Sequence, residues 1–175
     1  TTTIGAKAFK NTGLISIVIP QAVTSIGYEG FMKSDDLQTV IFNGTNIEVF
    51  ETSIFEDCTS LANLGVKASD DQTALSGCEI PAGIKTLEDK AFKNTGVVYV
   101  VIPENVITIG DYVFENSSKL TTVESYSNVT GKYMFKNSPL LSSVEFDNTD
   151  LTVLEEGLFY DCDSINFITL SDSIY

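Results

Sequence analysis

Seven phenylalanines, Phe9, Phe31, Phe55, Phe92, Phe114, Phe135 and Phe159, recur in one shared sequence context. Their spacings are 22, 24, 37, 22, 21 and 24 residues. Five of these lie close to 23, and the sixth equals one such interval plus an insertion of about 14 residues. Self-similarity at this period marks a stacked repeat, in which no single unit can close a core and neighbours must bury one another.

The context extends on both sides of each phenylalanine, written F below. Position F−5 is apolar in six copies, as Ile4, Ile26, Phe50, Leu87, Ile109 and Leu154. Position F−8 is apolar as Val23, Ile47, Ile84, Val106 and Leu151. Two or three residues after F comes a small polar residue or cysteine: Asn11, Ser34, Cys58, Asn94, Asn116, Asn137 and Cys162. Alternating runs follow, such as Leu37-x-x-Val40-x-Phe42 and Leu141-x-x-Val144-x-Phe146. Alternation over four to six residues predicts a short strand with one buried face. The segment from F−8 to F, with Gly5, Gly27 or Gly110 after the F−5 residue, predicts a turn or a single helical turn. Strands stacked at roughly 4.8 Å would bury a continuous stripe of Leu, Val, Ile and Phe, so the expected architecture is a solenoid.

The pattern Leu-x-x-Val-x-Ile-Pro-x-x-Val-x-x-Ile-Gly-x-x-Ala-Phe-x-x-Cys/Asn resembles the BspA-like leucine-rich repeat. It is carried best by Val97 to Phe114 and Leu14 to Phe31. Copies five to seven lack Ile-Pro, and Val66 to Glu79 fits no copy. The resemblance implies an α/β leucine-rich-repeat solenoid, a right-handed superhelix of about seven repeats of 21–24 residues. Strands would line a concave face, and turns or short helical segments a convex one. It also implies a secreted or cell-surface protein of a host-associated bacterium or parasitic protist, adhering to host matrix or microbial proteins. One domain over residues 1–175 is expected, with an off-repeat insertion at about 67–79. Because Thr1-Thr2-Thr3-Ile4-Gly5 and Leu170 to Ile174 carry no polar cap, the chain is expected to be a segment of a longer array.

In such a sheet the outward residues would form two columns. One holds Val18, Ile41, Gly65, Val101, Glu124, Glu145 and Thr169; the other holds Ser16, Thr39, Asn63, Tyr99, Thr122, Ser143 and Phe167. Val18, Ile41, Tyr99 and Val101 would make the first half apolar, and Glu124 and Glu145 would make the second half acidic. The candidate protein-binding residues are therefore Val18, Ile41, Tyr99, Val101, Glu124, Glu145 and Phe167, with Tyr99 as the aromatic anchor. Val and Ile are also simply favoured in strands, even on a solvated face.

Composition removes other functions. The chain has no histidine, no arginine and no tryptophan, so imidazole catalysis, His-ligated zinc and Ser-His-Asp triads are impossible within it. A formal net charge of −14 repels nucleic acid and anionic membrane. The longest apolar run, Val97 to Ile102, is far too short for a membrane span. Residues 123 to 175 hold nine acids and two lysines, which predicts a partner with basic patches at that end.

The remaining constellations read as scaffold. Cys58 and Cys162 lie four repeats apart, roughly 19 Å at one strand spacing per repeat, and cannot bridge. Cys78 has only Cys58 or an external thiol within reach, and whether those two pair stays open. The recurrent asparagines predict an amide ladder satisfying buried backbone groups. Acid pairs such as Asp35-Asp36, Asp70-Asp71 and Asp161-x-Asp163 lack any calcium-loop spacing, and no metal or cofactor is expected. Glu124 and Glu145 form a conceivable glycosidase pair, yet in an open groove with no pocket-forming insertion. Asn43, Asn116 and Asn128 match the glycosylation acceptor pattern. The chain is expected to be non-enzymatic, binding a protein through the concave sheet. A structural spacer or a carbohydrate-binding groove are the other readings.

Overall fold

The computed structural model describes residues 2–67, 75 and 77–170. Eight strands make one all-parallel sheet: β2 (Ser16–Ile19), β4 (Thr39–Phe42), β6 (Asn63–Val66), β7 (Cys78–Glu79), β9 (Tyr99–Ile102), β11 (Thr122–Ser125), β12 (Ser143–Phe146) and β13 (Phe167–Leu170). They stack in chain order, each parallel to and beside the strand of the neighbouring turn. The alternating runs form these strands because one face meets the core: Val40, Phe42, Val100, Ile102, Val123, Val144 and Phe146 are buried.

The F−5 segments differ from the expected turn. Residues Thr3–Ile4 (β1) pair with Ser25–Ile26 (β3), and Val49–Phe50 (β5), Thr86–Leu87 (β8) and Thr108–Ile109 (β10) form a second short ladder. The F−5 side chain is the inward residue of each two-residue strand, and Ile26, Phe50 and Leu87 are fully buried.

No helix occurs among the described residues, and of the turns or short helical segments expected on the far wall the structure has turns. That wall is a hydrogen-bonded ladder of another kind. Positions F−2 and F+2 carry positive φ in every copy, from Lys7 (61°) and Asn11 (56°) to Gly157 (64°) and Asp161 (56°). Residues between them bond within their own turn, as in Ala8 N–H to Gly5 O at 3.2 Å. Those at F−2, F and F+2 donate to the next turn, as in Phe9 N–H to Gly30 O at 2.8 Å. The alternation aims every second amide along the stack, leaving no room for a continuous helical bond pattern.

Inside the wall the seven phenylalanine rings form one unbroken stack, with neighbouring centroids 5.1 to 5.8 Å apart. Offset stacking at this separation suits the ring quadrupole and follows the backbone repeat. The long interval between Phe55 and Phe92 leaves no gap, since their centroids are 5.3 Å apart. On the opposite side, β7 is inserted between β6 and β9. The large sheet thus has eight rungs where the ring stack has seven.

Candidate protein-binding face

The register of the large sheet fixes which side chains share its outer face. Val18 pairs with Ile41, and Ile41 with Gly65. Val101 pairs with Glu124, Glu124 with Glu145, and Glu145 with Thr169. In the next column Tyr99 pairs with Thr122, which leads through Ser143 to Phe167. Val18 and Phe167 are 52% and 58% exposed, whereas Ile41, Tyr99, Val101 and Glu124 are half-buried by their lateral neighbours.

Two details depart from the expected columns. Strand β7 places Glu79 beside Val101, so an acid interrupts the apolar patch between Ile41 and Val101. Gly65 is buried and Val66 half-buried, reversing the expected order. Here the Leu75 side chain covers Gly65, where a Cβ would stand 3.0 Å from the leucine Cδ2. The two-residue strand β7 gave no periodic signal; only the apolar Cys78, buried between Leu64 and Val100, hinted at it. Of the insertion KASDDQTALSG, residues 68–74 and 76 lie outside the described residues.

Tyr99 is embedded in acid. Burial and the neighbouring Glu124 carboxylate push its hydroxyl up to about 12, and the charge of Glu79 adds to this. Tyr126, one residue beyond β11, is also raised, chiefly by the Glu124 charge and further by Asp147 and Glu145. Both phenols lie within reach of the Glu124 carboxylate, which groups Tyr99, Glu124 and Tyr126 into one cluster.

The asparagines have a different role from the one expected. Asn11, Asn94, Asn116 and Asn137 sit at the left-handed F+2 position, exposed or half-exposed, where asparagine is among the residues that tolerate this conformation. Asn137 Nδ2 donates to Asn116 Oδ1 at 2.7 Å, and Asn94 Nδ2 to Asp57 Oδ1 at 2.9 Å. Position F+3 supplies donors to the preceding turn in three copies, whereas the buried Ser117 and Ser138 hydroxyls at the same position have no partner among the described residues. Ser34 Oγ donates to the Phe9 carbonyl at 2.7 Å, Cys58 Sγ to that of Phe31 at 3.0 Å, and Cys162 Sγ to that of Phe135 at 3.0 Å. All three thiols are free.

Among the described residues no group of three or more Cys, Asp or Glu is arranged to hold a metal ion. The described residues include no helix long and apolar enough to cross a membrane. Shallow grooves lie on the F−5 ladders, one of about 290 Å³ lined by Thr52, Glu88, Asp89 and Thr108.

The repeat period, the parallel ladders and the ring stack coincide with a known pattern. The model of the BspA type leucine rich repeat region matches residues 2–72 and 68–175, in six copies. The chain belongs to this family. Among solved structures, this BspA-type array is similar to a leucine-rich repeat protein from Bacteroides ovatus, at 28% identity and a TM-score of 0.69. That match covers 98% of this chain and 47% of the other. It is also similar in fold to the T. pallidum leucine rich repeat protein, at 21% identity and TM-score 0.76, covering 95% of this chain and 73% of that one. A leucine rich cell surface protein from Faecalibacterium prausnitzii matches at 22% identity and TM-score 0.52, over 96% of this chain and 51% of that one. The array thus spans about half the length of the B. ovatus and F. prausnitzii proteins. No curated protein matches its sequence.

Proposed function

We propose that this BspA-type array is a non-enzymatic protein-binding or adhesion module of a secreted or cell-surface protein. It binds a host or microbial protein through the outer face of the large sheet. The observation that carries this reading is the outer face itself. Val18 and Phe167 stand largely in water on the first and last rungs of the sheet, with Ile41, Tyr99 and Val101 half-buried on the rungs between them. Exposed apolar and aromatic side chains gathered on one regular surface are the usual mark of an interaction site. The F. prausnitzii relative, described as a cell surface protein, supports the location.

The test immobilises the array against a panel of matrix proteins, microbial surface proteins and glycans. The triple variant Val18→Ser, Tyr99→Ser, Val101→Ser is expected to lose at least about tenfold in affinity, as for removal of an interface anchor. Unchanged binding by the folded variant removes the proposal. Binding of glycans alone favours a carbohydrate groove, and silence across the panel favours a spacer.

A further inference from the structure

The charged residues of the array are sorted by face. Seven of the ten lysines lie within three residues of a wall phenylalanine, and none lies on a strand of the large sheet. The described ion pairs follow the same division. Glu29 pairs with Lys7 and Lys10, Glu115 with Lys93 and Lys136, and Glu156 with Lys132, all on the wall. The remaining pair, Lys85 with Glu48, lies beside the F−5 ladder. No described ion pair includes Glu79, Glu124, Glu145 or Asp147.

Those four carboxylates occupy rungs four to seven of the sheet face, together with Tyr99, Tyr126 and Val101. Glu79 and Glu124 flank Val101 in register, and Glu145 follows Glu124 directly. At roughly 4.8 Å per rung, the three glutamates fall at about 0, 10 and 14 Å along the stack. An extended peptide places alternate side chains about 6.8 Å apart, so cationic residues at i, i+2 and i+4 cover the same span. Two phenol rings beside the acids suit the aliphatic stems and charged heads of such side chains.

The geometry points to a docking surface for an extended, lysine- or arginine-bearing protein segment, seated across β7, β9, β11 and β12 on Glu79, Glu124, Glu145 and the Tyr99–Tyr126 pair. This deepens the protein-binding reading and rests on it. Charge complementarity selects the occupant. Like charges placed side by side along the sheet, in no ion pair among the described residues, attract a basic segment and repel an acidic one. The raised hydroxyls of Tyr99 and Tyr126 report the same uncompensated field.

The experiment uses a fluorescein-labelled lysine–serine alternating nonapeptide and its glutamate–serine counterpart, measured by anisotropy at low and moderate salt. The lysine peptide is expected to bind and to weaken as salt rises, while the glutamate peptide does not bind. Because the whole chain is acidic, location is the deciding readout. Glu124→Gln with Glu145→Gln is expected to weaken binding at least tenfold. Asp35→Asn with Asp36→Asn removes the same charge from an exposed turn outside the sheet and is expected to change it less than twofold. Tyr99→Ser with Tyr126→Ser is expected to weaken it three- to tenfold at unchanged net charge. In the wild-type protein, amide resonances of Glu79, Val101 and Glu124 are expected to shift on titration, and those of the wall are not. This last readout holds even where a variant fails to fold.

Equal weakening by the two acid-removing variants, or shifts spread over the wall, would overturn the proposal in favour of diffuse attraction. Absence of lysine-peptide binding would overturn it as well. The broader reading fails separately. If the triple variant at Val18, Tyr99 and Val101 loses a protein ligand while the peptide arms fail, the face binds a partner of other chemistry. If neither responds, both readings fall.

Discussion

Cys58 shows how one side chain combines packing with polar satisfaction. Its sulfur lies on the carbonyl of Phe31, in the slot where Ser34 holds the carbonyl of Phe9. Serine and thiol interchange there because the site needs a small donor and little else. Desolvation pushes the Cys58 thiol up to about 12 and Cys78 further still. Both are therefore expected to stay silent toward a disulfide reagent at pH 8 and to react at once after denaturation. Half-buried Cys162 is expected to react in the folded protein, and a count of released chromophore checks all three. The pH consequence has a definite sign. The folded thiol keeps its proton where the unfolded thiol loses it, so stability present below pH 9 declines as pH rises toward about 12. Replacing Cys58 by serine should flatten that alkaline decline in a pH series of melting curves. Gly157 shows the opposite restriction. The Tyr133 ring lies so close that a Cβ on this residue would stand 2.2 Å from it, at a φ of 64°.

At the scale of elements, the ring stack and the amide ladder make each turn depend on its two neighbours. Phe92 sits mid-stack, fully buried between Phe55 and Phe114, with Phe50 edge-on. Phe92→Ala is expected to cost roughly 3–5 kcal/mol in denaturant unfolding, as for a fully buried phenylalanine. Phe9→Ala, at a half-buried end of the described stack, should cost clearly less. A cost under about 1 kcal/mol at Phe92 would contradict the stacking. The strands of the large sheet and the inward F, F−5 and F−8 positions were legible in the sequence because burial writes a period into residue type. The wall conformation was not. Lys7, Glu29, Ser53 and Tyr133 adopt left-handed backbone with side chains that carry no such preference, and only the asparagines at F+2 pointed to it. There the bonding to adjacent turns overrides local propensity. Strand β7 escaped for a related reason, since two residues have no period and their pairing is decided by the stack on either side. The Tyr99–Glu124–Tyr126 cluster was half legible: two members stood in the expected columns, while Tyr126 lies beyond the strand end.

For the whole molecule, charge is distributed to serve two ends. The wall carries both signs, interleaved and paired, whereas the sheet face is left negative. With 24 acids against 10 lysines, self-repulsion opposes the compact state. Moderate salt, which shortens the screening length to about 10 Å, is therefore expected to raise the melting temperature. The wall ion pairs are short-range and partly exposed, and weakening them should offset only part of that gain. A melting temperature that falls with added sodium chloride would mean the wall pairs outweigh the net repulsion.

The eighth rung also bears on shape. Between β6 and β9 the sheet side is longer by about 4.8 Å, one ladder spacing, while the rings behind it stay in ordinary contact at 5.3 Å. The extra course separates the outer face into two stretches, one presenting Val18 and Ile41 before β7, the other Tyr99, Glu124 and Glu145 after it. A partner that holds both must reach across one rung more than the ring stack counts.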